Sequence, residues 1–203
     1  MKPRIAVIIG STRDVRFGEK AARWVLDHAQ KRSDLDFELL DIRDFNLPFF
    51  NELTNNHWSP SKDPNAIAWQ KKLATFDGFI FVTAEYNRSI PASLKNAIDH
   101  AYDEWVKKPG AIVSYGAVGG TRAAEHLRTV QIELQQVPIR QGVHIAGSDF
   151  MQVTAHGENK PMSSLDAAFQ SRLNDLFDNL SWWTYVTRDA RRVDAEKQEL
   201  LTA

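Results

Sequence analysis

Short apolar runs alternate with amphipathic helical patterns five times along this chain of 203 residues. The runs are Ile5–Ile9, Phe37–Ile42, Phe79–Thr83, Ala111–Tyr115 and Gln141–Ala146. Helical periodicity is predicted over Glu19–Lys31, Asn65–Thr75, Pro91 towards Trp105, Thr121 to about Gln135, and Leu165–Val186. Runs this rich in β-branched residues suit strands buried on both faces. Strands that alternate with helices form a parallel sheet covered by helices on both sides. The chain is therefore expected to be an α/β three-layer sandwich with five parallel strands. Ligands of such sheets bind beyond the carboxyl ends of the strands, where the strand order reverses.

Three polar loops fall at that edge. The first follows Ile9 and reads Gly10-Ser11-Thr12-Arg13, then Arg16 and Gly18, before a helix begins. Free N–H groups at a helix start, with the helix dipole, favour an anion. Hydroxyls and arginines add donors and charge, so the loop reads as a cradle for one phosphate. Thr12 stands where a dinucleotide fingerprint needs its second glycine, and no Gly-Lys-Ser/Thr follows for a nucleoside triphosphate. An ordinary strand-to-helix turn with a capping hydroxyl fits this one loop as well. The second loop, Ala84-Glu85-Tyr86-Asn87-Arg88-Ser89-Ile90-Pro91, offers a flat aromatic ring, an amide and turn N–H donors. Ser89 also suits a helix cap there. The third, Ser114 to Gly120, has glycines at 116, 119 and 120 that let backbone approach a flat ligand.

Composition narrows the classes. A formal net charge of -1 gives no signature of nucleic acid or of an anionic membrane surface. No apolar run approaches a membrane span, and the N-terminus enters a strand almost at once. The chain has no cysteine, which suits a reducing cytoplasm and removes thiolate chemistry. The six histidines have no metal-ligand spacing, so no metal site is expected. The connection Arg43–Pro64 is long and irregular, and its aromatics Phe45, Phe49, Phe50 and Trp58 either line a ligand or subunit contact or cover the sheet edge. Met151–Met162 reads as a loop. Residues 1–186 are taken as one domain and 187–203 as a polar extension, expected to pack on a neighbouring subunit.

The three loops together resemble the NADPH-dependent FMN reductases of the flavodoxin-like superfamily. The residues that carry the resemblance are Gly10-Ser11-Thr12-Arg13 with Arg16 and Gly18; Glu85-Tyr86-Asn87 with Ser89, Pro91 and Leu94-Lys95-Asn96-Ala97-Ile98-Asp99; and Ser114-Tyr115-Gly116 with Gly119-Gly120 and Arg122-Ala123. Ala84 stands where the family usually has proline. The resemblance covers roughly residues 4 to 146 and implies the strand order 2-1-3-4-5. It implies bound FMN, with NADPH or NADH as hydride donor and a quinone or similar small molecule as acceptor. Ser11, Arg13 and Arg16, beside Phe17 and Gly18, would hold the FMN phosphate. Glu85, Tyr86 and Asn87, with Ser89, would line the flavin ring, largely through main chain. Ser114, Tyr115 and Gly116, with Gly119 and Gly120, would close its other side. Arg13 or Arg16 is alternatively a contact for the NADPH 2′-phosphate. No catalytic side chain is implied, and a homodimer or homotetramer is expected, with Asp99 and Trp105 near an interface. Two other readings stay open: an electron carrier, which the balanced charge disfavours, and a reductase that releases reduced FMN to a partner monooxygenase.

Overall fold

The computed structural model describes residues 1–202. Five strands, β1 (Arg4–Ile9), β2 (Asp36–Asp41), β3 (Gly78–Ala84), β4 (Pro109–Tyr115) and β5 (Val137–Ile145), form one parallel sheet in the order β2-β1-β3-β4-β5. The period-2 alternation of β1 divides the core. Ile5, Val7 and Ile9 face a layer made by α1 (Phe17–Ala29) and α6 (Asp166–Thr202), while Ala6 and Ile8 face α2 (Pro64–Ala74), α3 (Ala92–Asp99) and α4 (Thr121–Glu133). Both layers are apolar, which is why the central strands carry no polar alternation. A short helix, α5 (Gly147–Val153), follows β5.

Several boundaries differ from the sequence reading, each for a visible reason. Pro109 and Gly110, predicted as part of a turn, open β4, and β5 starts four residues early, with Pro138 opposite Gly110. An edge strand tolerates that proline because one side of its backbone needs no partner. Helix α3 stops at Asp99 instead of running to Trp105. Asn56 Oδ1 takes the Tyr102 N–H at 2.7 Å, and the chain turns away. Met151–Met162, predicted as loop, begins inside α5, which runs to Val153, and ends where a 3-10 turn opens at Met162–Leu165. Thr187 lies inside α6, which is one helix of 37 residues. Its inner side is tied to its own chain: Arg191 donates to Asp77 Oδ1 (2.9 Å) and to the Lys107 carbonyl (2.8 Å), and Lys107 pairs with Asp194 (2.7 Å). Among the described residues, no helix is long and apolar enough to cross a membrane.

The irregular connection after β2 is pinned to α3. Asn96 donates to the Pro48 carbonyl (2.8 Å) and accepts from Phe50 N–H (2.9 Å), and His100 Nε2 donates to the same carbonyl at 2.8 Å. Phe45 packs on Trp69 and Phe50 on His100, whereas Phe49 and Trp58 are exposed.

One buried charge lies at the opposite end of the sheet from the loops. Lys108 is buried, with Nζ 5.6 Å from the Phe79 ring centroid and 3.4 Å from the Leu73 carbonyl. Burial, and then the neighbouring Arg191, push its pKa down to about 8. The unfolded lysine keeps its ordinary value, so folding at neutral pH holds a proton where it binds weakly. That costs on the order of 3 kcal/mol. Stability is therefore expected to rise between about pH 8 and 10 as the folded state loses that proton first. Lys108→Met is expected to stabilise the chain at pH 7 by about 1–3 kcal/mol. Urea unfolding across that pH range checks it, and a gain that does not shrink as pH rises would refute the cause given.

Candidate active site

The loops after β1, β3 and β4 come together at the carboxyl edge of the sheet. Gly10 N–H donates to the Val82 carbonyl at 2.9 Å, which laces the first loop to β3. Ser11 is buried, with Oγ 3.4 Å from the Tyr86 hydroxyl, and the Arg13 guanidinium lies 5.9 Å from the Tyr86 ring centroid. Tyr86 therefore joins the first two loops. A cleft of about 560 Å³ lies on one side of it, lined also by Arg43, Asn46, Phe49, Ser93 and Asn96. A cleft of about 330 Å³ lies on the other, lined also by Phe17, Lys20, Tyr115, Gly116, Phe150 and His156. Ser11, Arg13 and Tyr86 line both, so the two are halves of one groove.

Some of the donors that face this groove are unspent. Arg13 has no carboxylate partner among the described residues. Helix α1 starts without a side-chain cap, and of its first turn the Gly18 N–H is met by the Tyr115 hydroxyl. In the second loop Tyr86 and Ser89 exchange backbone hydrogen bonds of 2.8 and 3.0 Å. That closes a tight turn with Asn87 at φ 49° and Arg88 at φ 69°. Both central residues are left-handed, a conformation Arg88 adopts only under constraint. Among the described residues neither central amide donates to the chain, so both remain free donors.

A family model described as NADPH-dependent FMN reductase matches residues 3–150. The chain belongs to this family. It is 41% identical over 130 residues to an NAD(P)H-dependent FMN reductase of Nectria sp, covering 61% of this chain and 65% of that protein. It is 35% identical over 164 residues to a 2-hydroxy-1,4-benzoquinone reductase of Burkholderia sp, covering 77% and 85%. The chain thus spans just under two thirds of the first relative and most of the second. Among solved structures it is similar to the flavoenzyme NAD(P)H:(acceptor) oxidoreductase of Paracoccus denitrificans. The TM-score is 0.68 and the identity 25%, over 91% of this chain and 98% of that one.

As a member of the FMN reductase family, the chain divides the sequence-predicted residues into those that face the groove and those that build it. Ser11, Arg13, Phe17, Glu85, Tyr86, Tyr115 and Gly116 line it. Arg16 touches the wall but its charge is used internally. Its guanidinium grips both Asp41 oxygens, Glu19 Oε2 (3.0 Å) and the Ser11 carbonyl (3.1 Å), and its side chain is 4% exposed. Burial opposes its charge, but the bonds to Asp41 and Glu19 outweigh that and raise its pKa. In the described chain Arg16 therefore shapes the loop, its charge already met by two carboxylates. Glu85 turns its carboxylate to Arg122, accepting the Arg122 N–H at 3.2 Å at the start of α4. Ser89 Oγ lies 2.6 Å from His126 Nδ1.

Ser114 is completely buried and faces away from the groove. Its hydroxyl donates to the Gly119 carbonyl (2.6 Å), which leaves Oγ to accept from His144 Nδ1–H at 2.7 Å. Burial and then Arg128 lower the His144 pKa. Ser114 therefore holds the third loop in shape. Gly119 and Gly120, at φ 77° and 66°, make its bend. Tyr115 lies on the groove side. Burial raises its phenol well above the ordinary value, so it stays protonated, packed edge-on to Phe17 (4.8 Å) and stacked on Phe150 (6.1 Å).

Sequence reasoning missed the segment that roofs this aromatic wall. Phe150, Thr154 and His156 reach the groove because Lys20 Nζ donates to the carbonyls of Val153 (2.7 Å) and Lys160 (2.8 Å). No local motif marks Phe150, since its place depends on that distant lysine. Asn96 carried a signal within the Leu94–Asp99 motif, but its task of holding residues 48–50 does not follow from the motif.

Proposed function

We propose that this chain binds FMN across the groove and works as an NAD(P)H-dependent oxidoreductase that passes electrons to a quinone or similar small acceptor. The observation that carries the reading is the unspent donor set: Arg13 and free loop amides arranged around Tyr86 where β1, β3 and β4 end. A phosphate fits the first loop, which offers a cation, a hydroxyl and a helix start with no competing carboxylate on Arg13. A flat ring with a carbonyl edge fits the second, where the Asn87 and Arg88 amides are the donors. FMN, when bound, supplies the hydride-accepting and electron-passing chemistry, with NADPH or NADH as donor. The chain's own part is to orient the ring and keep one face open, and no side chain is needed as acid or base. Tyr115 is held as a neutral phenol in the wall, so it adds no charge beside the ring.

The quinone acceptor is supported by the names of relatives, the Burkholderia benzoquinone reductase and the quinone reductase of Pseudomonas putida. A homodimer or homotetramer is supported by exposed Phe49 in the lining of the larger cleft and by exposed Leu53 and Trp58 in the same connection. A cysteine-free chain suits the cytoplasm. We read 1–186 as the flavin-binding unit and 187–203 as its extension, with the boundary inside α6. The test is a visible spectrum of the purified chain with FMN, before and after anaerobic NADPH and then NADH. A bound-flavin spectrum that bleaches, and recovers on adding a benzoquinone, is the expected result. A bound flavin that neither nucleotide bleaches would point to an electron carrier, and no binding would refute the site.

A further inference from the structure

The outer side of α6 carries four exposed apolar residues on one line, with the acidic Asp189 and Glu196 beside them. Its inner side carries Leu173, Leu180 and Arg191 against the body. At 3.6 residues per turn, Trp182, Val186, Val193 and Leu200 fall within about 40° of one line on the opposite side. Their exposures are 59%, 43%, 42% and 80%. Nothing in the described chain covers this stripe, and its last three members are spaced seven apart, as helix pairs require.

We propose that the stripe is a contact between two copies of this chain, in which the two α6 helices cross antiparallel with Val193 on the two-fold axis. In such a pairing, a residue a given number of positions after Val193 faces the residue the same number before it. Val193 then meets the partner subunit's Val193, and Leu200 meets the partner subunit's Val186, while Trp182, eleven positions before Val193, lies outside this pairing. Lys197, four positions after Val193, meets the partner subunit's Asp189, four before it, and the two-fold axis makes this ion pair twice. Lys197 stands near Asp194, which Lys107 already holds at 2.7 Å, and among the described residues neither Lys197 nor Asp189 closes an ion pair within 4 Å. A parallel pairing would set Lys197 beside Lys197 and Asp189 beside Asp189, so charge selects the antiparallel one. The inner side of the helix is already taken by Asp77, Lys107 and the body, which leaves the outer face open to a second helix. The proposal deepens the homo-oligomer part of the reading above and does not depend on the flavin chemistry.

The absence of cysteine makes disulfide mapping clean. In the full chain loaded with FMN, Val193→Cys is expected to form a covalent dimer under diamide. Leu200→Cys alone should form at least tenfold less, while a mixture of Leu200→Cys and Val186→Cys chains should cross-link to each other. Asp189→Lys in the Val193→Cys background should lower the cross-linking rate about tenfold, and adding Lys197→Asp should restore it. Leu200→Cys linking to itself as fast as Val193→Cys would overturn the antiparallel geometry. Failure of the charge exchange to restore the rate would overturn the ion pair. No Val193→Cys cross-link in a chain that light scattering shows to be oligomeric would overturn this surface and leave the oligomer standing on another. No cross-link in a monomer would overturn both.

Discussion

Arg16→Ala is expected to destabilise the fold by about 3–5 kcal/mol, whereas Arg13→Ala leaves stability within about 0.5 kcal/mol and weakens FMN binding about ten- to hundredfold. The two arginines stand three residues apart in one loop, and their environments are opposite. Arg16 is buried among Asp41, Glu19 and the Ser11 carbonyl. Removing it leaves the largely buried Asp41 carboxylate without its counter-charge, the case in which a broken buried pair is most costly. Arg13 touches the Tyr86 ring and otherwise faces the groove. Its loss removes one charge-assisted contact to a bound anion and little else. Urea unfolding of both variants, with flavin titration of the folded Arg13→Ala chain, measures the two effects separately. A stable Arg16→Ala chain that had lost FMN would return Arg16 to the ligand and overturn the division made here.

Gly120→Ala is expected to remove flavin binding and to cost on the order of 3 kcal/mol or more. Gly120 stands at φ 66°, where any side chain is strained. A Cβ added there would lie 2.8 Å from Ser114 Cβ, 2.9 Å from Tyr115 N and 3.0 Å from Tyr115 O. The last two are backbone of β4, hydrogen-bonded into the sheet and unable to move aside. The loop must yield instead, and with it the Ser114–Gly119 hydrogen bond and the position of Gly116 in the groove wall. Gly116→Ala makes the contrast. A Cβ there finds only Gly120 N, at 3.8 Å, so its cost is limited to the strain of φ 148°. Flavin titration and thermal unfolding of the two variants should rank Gly120→Ala well below Gly116→Ala. Equal behaviour would show that the tight approach at residue 120 does not set the loop.

The sequence by itself determined the sheet and the meeting of three loops, because both follow from local pattern. β1, β3 and β4 are apolar on both faces, a pattern that only a strand covered by helices on both sides satisfies. Glycine and hydroxyl residues directly after such strands mark ligand loops by their own conformational and hydrogen-bonding limits. What only the tertiary structure decided is which members of those loops stay free. Arg13 and Arg16 look alike in sequence, and Asp41, at the end of another strand, makes the difference. Ser114 looks like a ligand hydroxyl until the distant His144 and Gly119 occupy it. Phe150 enters the groove wall because Lys20, far away in the chain, holds the segment beyond it. The outer stripe of α6 has the same origin. Its apolar spacing is legible, but that it faces solvent was fixed by Leu173, Leu180 and Arg191 taking the inner side. Pairing partners distant along the chain compete for charges and faces, and that competition is settled only when the chain closes on itself.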